Sequence, residues 1–108
     1  MAQLPPGVVK LTDGETAPPK TLAIYRDSNR KGPAYGIGAG FAVNLSDLPM
    51  DGHNGTKSAS KNISSWVNNT DSDAVLIDDT GKRTLQANST LEESSATNDS
   101  VTRVEWVA

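Results

Sequence analysis

Apolar positions along this chain come in short runs broken by polar turns, a pattern that predicts strands and not helices. Thr21 to Tyr25 is a β-rich run closed by the turn Asp27-Ser28-Asn29. A Gly-rich strand region follows from Gly32 to Leu45. Residues 46–60 read as loop, with Asp51-Gly52 and Asn54-Gly55 as turn dipeptides. Strands are predicted at Ile63–Val67, Ala74–Ile77, Arg83–Ala87 and Val101–Val107, with an acidic turn at 78–81 and a polar loop over 88–99. No helical period holds for more than about two turns, and the longest candidate, Leu91 to Thr97, is mostly polar. Regularly spaced short strands of this kind indicate a β-sandwich or barrel.

The pattern repeats. Residues 21–70 and 71–108 each read strand, acidic turn, strand, polar loop, then a Ser/Thr-bearing strand with a Trp. Ile63-Ser64-Ser65-Trp66 lies 38 residues before Val101-Thr102-Arg103-Val104, which suggests a duplicated four-stranded unit. Residues 1–20 fall outside the repeat and read as an N-terminal arm. Pro5-Pro6-Gly7 and Pro18-Pro19 cannot lie inside a helix or central strand. Between them Val8 to Leu11 suits a short edge strand, followed by the turn Asp13-Gly14. Because Pro fixes φ and lowers the entropy lost on docking, Leu4, Pro5, Pro6, Val8, Val9 and Leu11 are the expected partner-binding residues. Residues 21–108 are expected to fold without them.

Only 35% of the 108 residues are apolar, so the core is small. The expected core is Leu22, Ile24, Tyr25, Phe41, Val43, Ile63, Trp66, Val75, Leu76, Ile77, Leu85, Val101, Val104 and Trp106. Net charge is −3 and the pI is near 4.9, which argues against a nucleic-acid partner. Arg30-Lys31 and Lys82-Arg83 read as solvated turn residues. No apolar stretch approaches the ~20 residues of a membrane span. There is no Cys, which excludes disulfides and Cys-ligated metals. The start lacks a basic region and an apolar run, so the expectation is synthesis in the cytoplasm, with secretion only if a leader was removed.

Three features resemble a βγ-crystallin Greek-key domain, in particular the bacterial branch that includes βγ-crystallin-like peptidase inhibitors. Tyr25 is followed seven residues later by Gly32, as in the family's folded first hairpin, where Gly takes a conformation closed to other residues. Ile63 to Thr70 and Asn98 to Thr102 are similar to the family's calcium motif: two Asn/Asp, two variable residues, then Ser/Thr and Ser. The resemblance covers roughly residues 21–108. It implies an all-β sandwich of two Greek-key motifs, here with an N-terminal arm. It also implies calcium sites shared between motifs. One would use Asp99, the carbonyl of Ser100 and the hydroxyl of Ser64. Its mate would use Lys61, the carbonyl of Asn62 and Thr102, and an ammonium at Lys61 repels a cation. Calcium wants six to eight oxygen ligands, so the expectation is one weak ion at most and no required cofactor. Loop-locking hydrogen bonds are the plainer account of the same residues. The sequence departs from the family at Ser60-Lys61, at Arg103 and at Ile77, where a Tyr is usual.

Other constellations carry less chemistry. Gly36-Ile-Gly-Ala-Gly40 imitates a phosphate loop, but strand and not helix follows, so close backbone packing is expected. His53 stands alone in a Gly-rich loop. Asp78-Asp79 and Glu92-Glu93 are neighbours that face opposite ways in a strand and read as turn and loop acids. Six Asn-x-Ser/Thr sequons reflect composition. The expectation is therefore a protein that is not an enzyme. It is a structural or interaction module docking on protein partners or its own copies, such as a bacteriophage capsid decoration or tail component. The alternatives are a stand-alone calcium-binding βγ-crystallin and a peptidase inhibitor.

Overall fold

The structure, a computed structural model, describes residues 4–52, 55–95 and 97–107. Nine strands are present among them: β1 (Val8–Leu11), β2 (Thr21–Asp27), β3 (Lys31–Gly38), β4 (Val43–Asn44), β5 (Ser65–Asn69), β6 (Ala74–Asp78), β7 (Gly81–Leu85), β8 (Ser89–Glu92) and β9 (Arg103–Trp106). They form two antiparallel sheets, ordered β1-β3-β2-β5-β8 and β4-β9-β6-β7.

The strand order shows two Greek keys that have exchanged a strand. β4 belongs to the first half of the chain but pairs with β9 of the second. β8 belongs to the second half but pairs with β5 of the first. Each half therefore completes the other's sheet. The register repeats as well: Ile24 faces Tyr35 as Leu76 faces Arg83, and Trp66 faces Leu91 as Val104 faces Val43.

Alternation along the strands builds the core. Leu22, Ile24, Ile37 and Trp66 of the first sheet pack against Val43, Leu76, Leu85 and Val104 of the second. Each such burial is worth about 1.5–3 kcal/mol relative to exposure. Leu45, Leu48, Met50, Ala59, Ile63 and Val101 add to this cluster from the connecting loops. Four expected core residues sit further out. Phe41 is exposed, and Val75, Ile77 and Trp106 are half-buried. Val75 and Ile77 alternate with the inward Ala74 and Leu76 and so point away from the core. Phe41 follows the turn after β3, and its ring rests against Gly7, where a Cβ would come within 2.2 Å of it.

Residues 4–20 are not a detached arm. β1 pairs with β3 along its whole length, so the short edge strand expected at Val8 to Leu11 is present. Residues 12–20 then cross the outer face of the first sheet. There Leu11, Ala17, Ala23, Tyr25 and Ala34 form a second apolar cluster, with Val67 packed against it. This explains why β2 is buried on both faces over Leu22 to Tyr25. The crossing segment is held by Gly14 N–H to Gly32 O at 3.0 Å, Tyr25 Oη to Glu15 O at 2.5 Å, and Asn69 Nδ2 to Ala17 and Pro18 carbonyls at 3.2 and 3.1 Å.

β8 was not expected inside the polar 88–99 loop. Its only large apolar residue, Leu91, packs on the main core. The remaining residues, Ser89, Thr90 and Glu92, give no apolar alternation to read.

Candidate functional site

The two halves meet where their long loops cross, and the hydrogen bonds there come in matched pairs. Ser64 N–H donates to Tyr25 O at 2.9 Å as Thr102 N–H donates to Ile77 O at 2.8 Å. Lys61 N–H donates to Val101 O at 2.9 Å as Asp99 N–H donates to Ile63 O at 3.4 Å. Leu45 N–H donates to Thr102 O at 2.9 Å as Glu93 N–H donates to Ser64 O at 3.0 Å. Lys61 and Asp99 are thus structural equivalents, both in the left-handed region at φ +61° and +59°.

The side chains at the two positions differ in chemistry. Asp99 Oδ1 receives the Ser64 hydroxyl at 3.4 Å, so the pair expected from sequence does converge. Ser100 Oγ donates to Thr97 O at 2.6 Å. On the other side Lys61 Nζ forms an ion pair with Asp79 Oδ2 at 2.7 Å. Thr102 Oγ1 donates to Ile77 O at 3.3 Å. The Asn62 amide is buried and turned to Thr56 Oγ1 and the carbonyls of Ser58 and Ser60. Lys61, Asp79, Asp99 and Ser100 share an open depression of about 340 Å3. Asp78 borders it with its carboxylate folded back on the turn. Oδ1 accepts from Thr80 Oγ1, Thr80 N–H and Gly81 N–H, and the Thr80 hydroxyl bond foremost lowers its pKa.

As a calcium site this arrangement is sparse. It supplies one formal negative charge at Asp99, the Ser64 hydroxyl and backbone carbonyls. Among the described residues no group of three or more His, Cys, Asp or Glu side chains is placed to hold a metal ion.

The expected partner-binding residues are divided by the fold. Val8 and Leu11 are buried in their own subunit and Leu4 packs partly on the main core. Burying apolar area within the subunit removes them from any outside partner. Pro5 is half-buried and Pro6 exposed. Val9 remains 52% exposed, as do Phe41 at 45% and Val107 at 50%. Trp106 links these last two, since it precedes Val107 and donates its indole N–H to Phe41 O at 2.9 Å. The Lys10 side chain of β1 turns back over its neighbour β3. Its ammonium hydrogen-bonds the carbonyls of Leu11 and Ala34 and lies 5.1 Å from the Tyr35 ring centre.

Sequence reasoning missed one buried pair. Arg83 and Glu93 form a bidentate ion pair at 2.6 and 2.8 Å, with the Glu93 side chain fully buried and the Thr97 hydroxyl at 3.3 Å. Both had read as solvated turn or loop residues. Nothing local signals the pair, because it joins β7 of one sheet to the end of β8 in the other. Glu92 caps the first hairpin, where Oε1 accepts from Asn29 N–H at 2.7 Å. Gly36 and Gly38 lie in β3, so the phosphate-loop look-alike is strand. His53 lies outside the described residues.

No family model and no curated protein matches this sequence. A solved structure concerned with the evolution of the eye lens βγ-crystallin domain fold is similar to the chain, with a TM-score of 0.66 and 17% identity. The similarity covers 94% of this chain and 97% of that one. At that identity the likeness establishes a shared fold.

Proposed function

We propose, with the βγ-crystallin fold as premise, that this chain is a non-catalytic structural or interaction module that docks on a larger protein assembly, such as a bacteriophage capsid or tail. The observation that supports this reading is the exposure of Val9, Phe41 and Val107. Phe41 rests on Gly7 beside the start of β1, and Trp106 ties Val107 to it. Large exposed apolar side chains suit a protein contact. Photo-crosslinking from positions 41 and 107 in the organism's own extract tests it, with position 84 on the second sheet as control. Crosslinks to a protein from 41 and 107 but not 84 are expected. The same crosslinks from all three positions, or none from any, would overturn the reading.

A second reading is favoured by the Ser64–Asp99 convergence: one weakly held calcium ion at Asp99, the Ser100 carbonyl and Ser64. The expected affinity is near the ~10⁻⁴–10⁻³ M of extracellular modules, because a single carboxylate leaves the ion under-neutralised. Free calcium should then raise the Tm of the chain but not of Asp99→Ala. Calorimetry showing two equivalent sites, or normal binding by Asp99→Ala, would remove this reading.

A further inference from the structure

We propose that the free edge of β1 is a strand-pairing surface for a second copy of this chain, held closed by Glu15 of the same chain. β1 is the outermost strand of its sheet. Extending its register with β3 by one residue sets Gly7 opposite Gly38, and Gly38 N–H donates to Gly7 O at 2.8 Å. Backbone groups alternate in direction along an antiparallel strand. Val9 and Leu11 therefore turn theirs to β3, while Val8, Lys10 and Thr12 turn theirs outward.

Two of these outward N–H groups are taken by acceptors from nearby in the chain. Val8 N–H donates to Pro5 O at 3.2 Å. Thr12 N–H donates to Glu15 Oε1 at 2.9 Å, and the same oxygen accepts from the Thr12 hydroxyl at 2.9 Å. Thr12 O accepts from Glu15 N–H at 3.0 Å, which closes the turn. The Glu15 carboxylate thus fills the place where a carbonyl of an added strand would accept. Exposed edges invite such addition, and folds blunt them.

Lys10 lies between the two caps. Among the described residues no group from outside the sheet bonds its N–H or C=O. A donor and an acceptor on one residue are self-complementary across a two-fold axis, where Lys10 of each copy gives one bond and receives one. This is what favours a second copy as the occupant. The Lys10 side chain leaves the edge clear, because its ammonium is folded over β3. The same register sets Val9, 52% exposed, opposite Leu11 of the second copy. It also aims Thr12 N–H at Val8 O of that copy, a bond that Glu15 withholds.

Light scattering at millimolar protein tests this with the parent chain, Glu15→Gln and Glu15→Ala. The parent should be a monomer of 11.4 kDa. Glu15→Gln should match it, because the amide oxygen still accepts from Thr12. Glu15→Ala should show about twice that mass, as a two-fold dimer. Adding Lys10→Pro to Glu15→Ala removes the outward N–H where an edge strand tolerates proline, and should restore the monomer. Amide hydrogen exchange of the parent reads the closed edge without any substitution, and decides even where Glu15→Ala does not fold. Lys10 should exchange fastest among the amides from Val8 to Thr12. A dimeric parent, a dimeric Glu15→Gln, a folded but monomeric Glu15→Ala, a dimer that survives Lys10→Pro, or a Lys10 amide as protected as its neighbours would overturn the proposal.

Discussion

At the scale of single residues, the duplication has diverged most at a buried pair. Tyr35 and Leu45 occupy in the first half the positions that Arg83 and Glu93 occupy in the second, as register and matched hydrogen bonds show. In the first half Tyr35 turns its hydroxyl to Pro49 O and Leu45 is fully buried. In the second, two opposite charges face each other and must stay paired. Removing one partner of a buried pair strands the other, at a cost of about 3–5 kcal/mol. Arg83 retains 28% exposure, which places Glu93→Gln at the low end, about 3 kcal/mol. A lowered urea midpoint with an unchanged slope would show it, and a midpoint equal to that of the parent would refute it.

Acid sensitivity also belongs to individual residues. Asp78, Glu15 and Glu105 have lowered pKa values, held down foremost by the Thr80 hydroxyl, the Thr12 N–H and the Arg103 guanidinium respectively. A carboxylate whose folded pKa lies below its unfolded value stabilises at pH above the unfolded value. That contribution is lost as pH falls through the folded one. Tm should therefore be flat above about pH 5 and fall below about pH 4. Asp78→Asn should shrink the fall, because the amide oxygen still accepts from the turn but no longer titrates. An unchanged profile in that variant would remove Asp78 from the account.

At the scale of elements, β1 and the segment after it act as part of the sandwich. Deleting residues 1–20 would expose the β3 edge and uncover Ala23, Tyr25 and Ala34. It also removes the burial of Val8 and Leu11, about 1.5–3 kcal/mol each. The truncated chain should unfold at a clearly lower temperature, or fail to unfold cooperatively. Equal thermal stability would mean that these residues are an arm after all. The sequence allowed an edge strand here, because Val8 to Leu11 are β-formers between prolines. It did not show that the following polar turn would cross the sheet, since Tyr25 Oη and Asn69 reach it only after folding.

At the scale of the whole molecule, the exchange of β4 and β8 makes the halves interdependent. A fragment of residues 21–70 lacks the strand that covers β5, and its β4 has no sheet to join. Such fragments should be unfolded alone by circular dichroism, despite each carrying a complete Greek-key pattern. Cooperative unfolding of either half by itself would contradict the exchange.

The linear pattern was enough for the number and kind of most elements, because alternation and turn chemistry act over a few residues. β2, β6 and the turns at 78–81 follow from it, as do the halves 38 residues apart at Ser64 and Thr102. The family resemblance, and not the linear pattern, paired Asp99 with Ser64, whose side chains lie 3.4 Å apart. Tertiary structure decided what depends on the other sheet. It turned Val75 and Ile77 outward, left Phe41 exposed, and made a strand of Ser89–Glu92 from one inward leucine. It buried Glu93 against Arg83 and set Lys61 on Asp79. Contacts of this kind join residues from different strands and sheets, and only packing brings them within reach.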